Sequence, residues 1–237
     1  MFRVKLVVLG ALTLLAVGAV TAASASATDH YLMCVEAKEK GHGEYANHEC
    51  IEEGGSKDWE KAVIKVGEGT ELGAEGGPSE LETGKFDIKC RVDKTVGALE
   101  GAGTSAYHIE PKSCEVKGKK ACTVSNYTLK LEGVLGGTLI EDPVGPVTFI
   151  ELALLSGSEV TISGCGVEGT YKFKGTQTCK MPKLGEMSEI HDMICQPSGN
   201  EIEVEVEKEG VNVMEKAKFT DTEEVYLLSG LYWEAEV

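Results

Sequence analysis

Between Glu201 and Glu207 the chain runs EIEVEVE, four glutamates alternating with Ile202, Val204 and Val206. Alternation of period two is the mark of a β-strand, because successive side chains point to opposite faces. The stretch therefore predicts a strand with its three aliphatic residues on a buried face and its glutamates on the other. Neighbouring carboxylates on that face have backbones about 6.6 Å apart, twice the strand rise. Calcium needs oxygens within about 2.6 Å, so adjacent glutamates do not chelate it unaided. The spacing resembles that of inverting glycosidases, but those carboxylates face each other across a substrate and one stays protonated. Four parallel glutamates on an open face read instead as a solvated side that discourages edge-to-edge aggregation.

The rest of the chain repeats this kind of pattern. Short alternating runs separated by Gly, Pro, Asn and Asp predict strands at YLMCVE, KFDIKCRV, SAYHIE, ACTVSNY, YTLKLEG, GTLIED, VTFIELALL, SEVTISG, GTYKFKG, VMEKAKFT and EVYLLSGLYWEAEV as well. Gly-Gly pairs at 54–55, 76–77 and 136–137 read as turns, and Pro143 and Pro146 bracket a loop. One helix candidate exists, SKDWEKAVIKV from Ser56 to Val66, with a strand through AVIKV as its rival. The expected fold is all-β, an antiparallel β-sandwich stapled by disulfides, with a closed β-barrel as the alternative.

Compartment follows from the first residues. Arg3 and Lys5 precede the apolar run LVVLGALTLLAVGAV, and Ala25-Ser26-Ala27 offers a cleavage signal, so residues 1–27 read as a secretory signal peptide. The alternative is a retained membrane anchor, for which the run is near the lower length limit. The expected organisation is then a small cysteine-tied subregion at 28–66, a Gly/Glu-rich linker at 67–82 and a main β domain at 83–237.

Of 237 residues, 39 are acidic and 23 are Lys or Arg, a formal net charge of −16. Without Arg3 and Lys5 the charge becomes −18. So acidic a chain is repelled by nucleic acid and by anionic membrane surfaces. Cations, basic proteins and cell-wall glycans remain as classes of partner, at the cell surface or in the medium.

Eight cysteines, Cys34, Cys50, Cys90, Cys114, Cys122, Cys165, Cys179 and Cys195, all follow the signal segment. In an oxidising compartment that is a framework of up to four disulfides, with about a hundred connectivities open. Spacing favours Cys34 with Cys50, Cys179 with Cys195, and Cys114 with Cys122 as a clip across the turn EVKGKKA, leaving Cys90 with Cys165. Without a CxxC pair, and with scattered histidines, a structural zinc site is not expected.

Catalytic signatures are thin. No G-x-S-x-G, G-x-x-x-x-G-K-[ST] or G-x-G-x-x-G occurs in a supporting context, so neither a serine nucleophile nor a nucleotide site is expected. His42 and His48 lie near Glu44, Glu49 and Cys50, but a disulfide at Cys50 removes its thiolate chemistry. His108 and His191, the latter beside Asp192, read as half-exposed strand residues, and His30 as disordered. Asn126-Tyr127-Thr128 is a glycosylation sequon. Trp59, Trp233, Tyr226 and Tyr232 could stack on a sugar, though core packing is the plainer account.

The strand FDIKC, the pair Cys114 and Cys122, the segment LEGVLGG and the hairpin ISGCGVEGTYKFKG together resemble a group of uncharacterised exported β proteins abundant in some soil actinobacterial genomes. The resemblance covers roughly residues 31–180 and implies a β fold and export. It implies no activity, cofactor or site residue. The functional expectation is a non-catalytic extracellular or cell-surface binding or structural protein. Its alternatives are a glycan hydrolase using paired carboxylates and a secreted inhibitor presenting the loop between Cys114 and Cys122.

Overall fold

A computed structural model describes residues 29–65, 70–141, 145–208 and 211–236. The expected signal peptide, the first residues of the expected linker and Pro143 lie outside these. The described residues form sixteen strands and no helix. In chain order they are β1 (His30–Glu36), β2 (Trp59–Val63), β3 (Thr70–Gly76), β4 (Ser79–Thr83), β5 (Asp87–Cys90), β6 (Val92–Gly101), β7 (Thr104–Lys112) and β8 (Glu115–Val116). They continue with β9 (Thr123–Glu141), β10 (Gly145–Leu154), β11 (Glu159–Ser163), β12 (Gly169–Pro182), β13 (Ile190–Asn200), β14 (Glu203–Lys208), β15 (Val211–Leu227) and β16 (Trp233–Glu236). Every pairing is antiparallel, and the fold is all-β and disulfide-stapled as expected.

Thirteen strands belong to one large sheet. Its pairings close on themselves, running from β9 through β10, β12, β13, β15, β3, β6 and β7 back to β9. The long strands make this closure, since each changes partner along its length. β15 pairs β14 over 211–216, β4 over 217–220 and β13 over 221–226. Opposed parts of the sheet meet across the core, with the Phe86 and Tyr171 rings 4.5 Å apart. A ring of strands has fewer free edges than an open sheet of the same size.

EIEVEVE folds as its pattern dictates. Ile202, Val204 and Val206 are buried, while Glu201 is exposed and Glu203 and Glu205 are half-exposed.

Several expectations give way to longer-range geometry. Of the two readings of SKDWEKAVIKV the strand and not the helix is observed, shifted to Trp59–Val63 as β2, because this segment completes a small sheet of order β16-β1-β2. That sheet joins the two ends of the described chain, with Trp233 and Tyr31 both fully buried and their rings 6.0 Å apart. Of the expected linker, residues 70–76 are β3 and 79–82 belong to β4, both strands being hydrogen-bonded to β15. Their small residues let strands approach closely while Leu72, Ala74 and Leu81 reach the core. The expected turn at Gly136-Gly137 is a bulge inside β9, where these two residues oppose the single Phe149. Gly137 takes φ +96°, which suits glycine at such a site.

Two of the four expected disulfides are observed, Cys34–Cys50 and Cys179–Cys195. The other two pair differently, as Cys90–Cys114 and Cys122–Cys165. The reason is register. β5 and β8 match Ile88 with Val116 and Lys89 with Glu115, which brings Cys90 opposite Cys114. β9 and β11 match Thr123 with Ser163, so Cys122 and Cys165 meet just past that end of the ladder. Lys117–Ala121 is therefore a crossing from β8 to β9 and not a hairpin turn.

Candidate functional site

β7 and β9 pair from Thr104↔Val134 to Ile109↔Leu129 and then part. β9 turns toward β11, where Thr128 meets Glu159, while β7 stays with β6 as far as Lys112↔Val92. The wedge between them is a cleft of about 730 Å³ whose polar lining includes His108, Glu110, Lys112, Ser125, Thr128 and Lys130. Thr128 Oγ1 lies 3.4 Å from His108 Nε2. Lys112 Nζ donates to Glu110 Oε2 at 2.7 Å, and His108 stands 3.7 Å from the other oxygen of that carboxylate. The hydrogen bond and charge of Lys112 hold the Glu110 carboxyl below the usual glutamate range. Ser113 and Asn126, which also line the cleft, take φ +53° and +50°. Left-handed backbone at non-glycine residues is uncommon and concentrates where the surrounding structure fixes it.

His108 is shared with a second hollow of about 580 Å³ over the outer face of β6 and β7. Val96, Ala98, Ala106, Leu155 and Leu228 supply its apolar lining. The polar cleft and the apolar hollow thus meet at His108 and Lys130.

Beneath the surface lies a second arrangement. Asp93, Asp221 and Glu223 are only 1%, 3% and 1% exposed. Gly76 is the register partner of both Asp93 and Glu223, and a Cβ there would come within 2.6 Å of the Glu223 side chain. The missing side chain makes room for the carboxyl. Thr95 Oγ1 donates a short hydrogen bond to Glu223 Oε1, and the Thr222 N–H donates to Asp221 Oδ1 at 2.8 Å. Burial, reinforced by the neighbouring acids, pushes the Asp221 and Glu223 carboxyls up, and burial also raises Asp93. Tyr127, also in the cleft lining, has a buried hydroxyl whose ionisation is opposed by burial and then by Asp93 and Asp221.

The residues singled out from sequence are scattered across the molecule. Of the EIEVEVE glutamates, Glu203 pairs with Lys174 at 3.4 Å and Glu205 accepts from Asn212 at 2.6 Å, both at the surface. His48 packs edge-on to Tyr232 and Trp59, His42 is exposed, and Cys50 is bonded to Cys34. His30 belongs to β1, 3.0 Å from Glu236. His191 is buried and not half-exposed: its Nε2–H donates to the Trp233 carbonyl at 2.8 Å, and burial lowers its pKa. The four aromatics form no platform, since Trp233 is core, Trp59 and Tyr232 pack around Cys34–Cys50, and Tyr226 covers Gly73. In the loop between Cys114 and Cys122, Lys117 reaches Glu80 at 3.3 Å, and Lys119 and Lys120 are exposed. Asn126 of the sequon is exposed in the cleft. Among the described residues, no group of three or more His, Cys, Asp or Glu side chains is arranged to hold a metal.

Comparison with family models, curated proteins and solved structures finds no match to this chain.

The buried acids carried a signal in the sequence all the same. Ala217, Phe219, Asp221, Glu223, Val225 and Leu227 occupy alternate positions of one strand, so the two acids fall on the apolar face. The EIEVEVE glutamates are out of phase with the apolar residues, and that difference separates a wet face from a buried charge.

Proposed function

We propose that this chain is an exported, non-catalytic binding protein that takes a polar extracellular ligand, a cell-wall glycan, in the cleft between β7 and β9. The observation that carries the reading is the cleft itself, where parted strands expose hydroxyl, imidazole, carboxylate and ammonium groups side by side. Carbohydrates bind through such a mixture of donors and acceptors, with an adjoining apolar surface to cover their less polar faces. Four disulfides are compatible with an oxidising compartment, and no described helix is long and apolar enough to cross a membrane. The resemblance to exported actinobacterial β proteins agrees with this. A hydrolase would need one carboxyl held protonated beside the substrate, whereas Lys112 favours the ionised form of Glu110.

The test is sedimentation of the purified protein with cell-wall polysaccharide, comparing wild type with His108→Ala/Glu110→Ala. Co-sedimentation of wild type, weakened at least tenfold in the variant, supports the reading. Equal retention of both proteins, or retention of neither, contradicts it.

A second reading is favoured by one observation. Cys90–Cys114 and Cys122–Cys165 tie both ends of the basic loop to the body, leaving Lys119 and Lys120 exposed. A loop held at both ends loses less entropy on docking, as an inhibitor's does. Replacing Lys117, Lys119 and Lys120 without loss of any interaction would remove this reading.

A further inference from the structure

We propose that Asp93, Asp221 and Glu223 form a proton-dependent latch, which when protonated closes β6, β3 and β15 over the core and when ionised drives those strands apart. The geometry comes first. Asp93 and Glu223 flank Gly76 across three neighbouring strands, and Asp221 sits two residues from Glu223 on the same face of β15. The Asp93 carboxyl lies against the Ser79 hydroxyl and the Asp221 carboxyl, so a proton on one acid can be shared with the other. Both Asp93 oxygens, Asp221 Oδ2 and Glu223 Oε2 are buried without a full set of donors, and a proton held among the acids supplies one.

The groups facing the cluster come from every side. β9 contributes Tyr127 and β7 contributes Tyr107, whose own ionisation is pushed up to about 12, mainly by burial. β4 contributes Ser79 and β6 Thr95, both neutral. Cys195 of β13, opposite Asp221, is locked in a disulfide. From β12, Gln177 gives its amide to the Phe219 carbonyl at 3.1 Å. The charges that act on the cluster are its own acids. Buried like charges without a counter-ion cannot ionise together at low cost.

The direction follows from linkage. The carboxyls titrate higher folded than unfolded, where they sit at about 4. Their stabilisation is complete below that unfolded value and is lost as pH rises through about 7 for Glu223 and about 9 for Asp221.

The experiment uses the full exported chain with its disulfides intact. Guanidinium midpoints are read by tryptophan fluorescence at about pH 7 and about pH 9, above the range in which buried His191 charges. The wild-type midpoint should fall at the higher pH, and that fall should be at least halved in Asp221→Asn/Glu223→Gln. Surface control Glu203→Gln/Glu205→Gln should fall like wild type. A wild-type midpoint that does not fall, or an equal fall in the latch variant, overturns the proposal. Should the variant not fold, the infrared carbonyl band of protonated carboxylic acid decides on the wild type. The band present in the native protein at about pH 6 and gone on unfolding supports the latch, and its absence overturns it.

Discussion

Asp93 and Glu223 stand on either side of Gly76, each paired to it in register, so that two buried acids flank one residue without a side chain. A Cβ at Gly76 would approach both Glu223 Cγ and the Thr222 carbonyl to 2.6 Å. Gly76→Ala should therefore destabilise the protein by about 1–3 kcal/mol, the usual cost of overpacking. Urea unfolding checks it; an unchanged midpoint would mean that the gap is not needed.

The glutamates of EIEVEVE should behave quite differently. Glu203 and Glu205 touch only surface partners. Replacing both with glutamine should change stability by no more than about 0.5 kcal/mol per site, as expected of surface substitutions away from special features. A larger loss in thermal or urea unfolding would show that this face packs against something.

His191 supplies a pH dependence opposite to that of the acids. It is buried against Trp233 with ring centroids 4.5 Å apart, and burial depresses its pKa below the unfolded value of about 6.5. Its stabilisation is present above that unfolded value and is lost as pH falls through the folded one. Proton NMR titration should find one of the five histidines charging later than the others as the solution is acidified. That resonance should vanish in His191→Gln. Five ordinary histidine titrations would be the contrary result.

How much of this was legible in the sequence depended on whether local pattern or distant register decided the outcome. EIEVEVE, SAYHIE and SEVTISG are strands with the faces their alternation dictates, because burying one apolar face is what settles such a run. TELGAEG looked like linker since glycine and glutamate lower its apolar content. Its place in the sheet comes from β15 and β6 on either side. The Cys114–Cys122 clip failed for a related reason: nearness along the chain said nothing about which ladder each cysteine ends. The cleft was invisible as well, because it arises where β9 leaves β7 for β11, a change of partner that no local pattern announces. The acids on the apolar face of β15 were the readable part of the interior.

Trp233 ties the ends of the described chain together. It is fully buried, and its backbone bonds both ways with Ser188, at 2.9 and 3.1 Å. Trp233→Ala should cost about 3–5 kcal/mol, as for other large buried aromatics. It should also expose the small sheet of β1, β2 and β16 to limited proteolysis before the main sheet. Cleavage within the main sheet first would place the weak point elsewhere.

Oxidised cysteines joining segments that the sheets bring together hold this fold, and peptide mapping of the purified protein under non-reducing conditions tests this most directly. Four bridged species are predicted, joining Cys34 to Cys50, Cys90 to Cys114, Cys122 to Cys165 and Cys179 to Cys195. A peptide holding Cys114 bonded to Cys122, or free thiols on most of the eight cysteines, would contradict it.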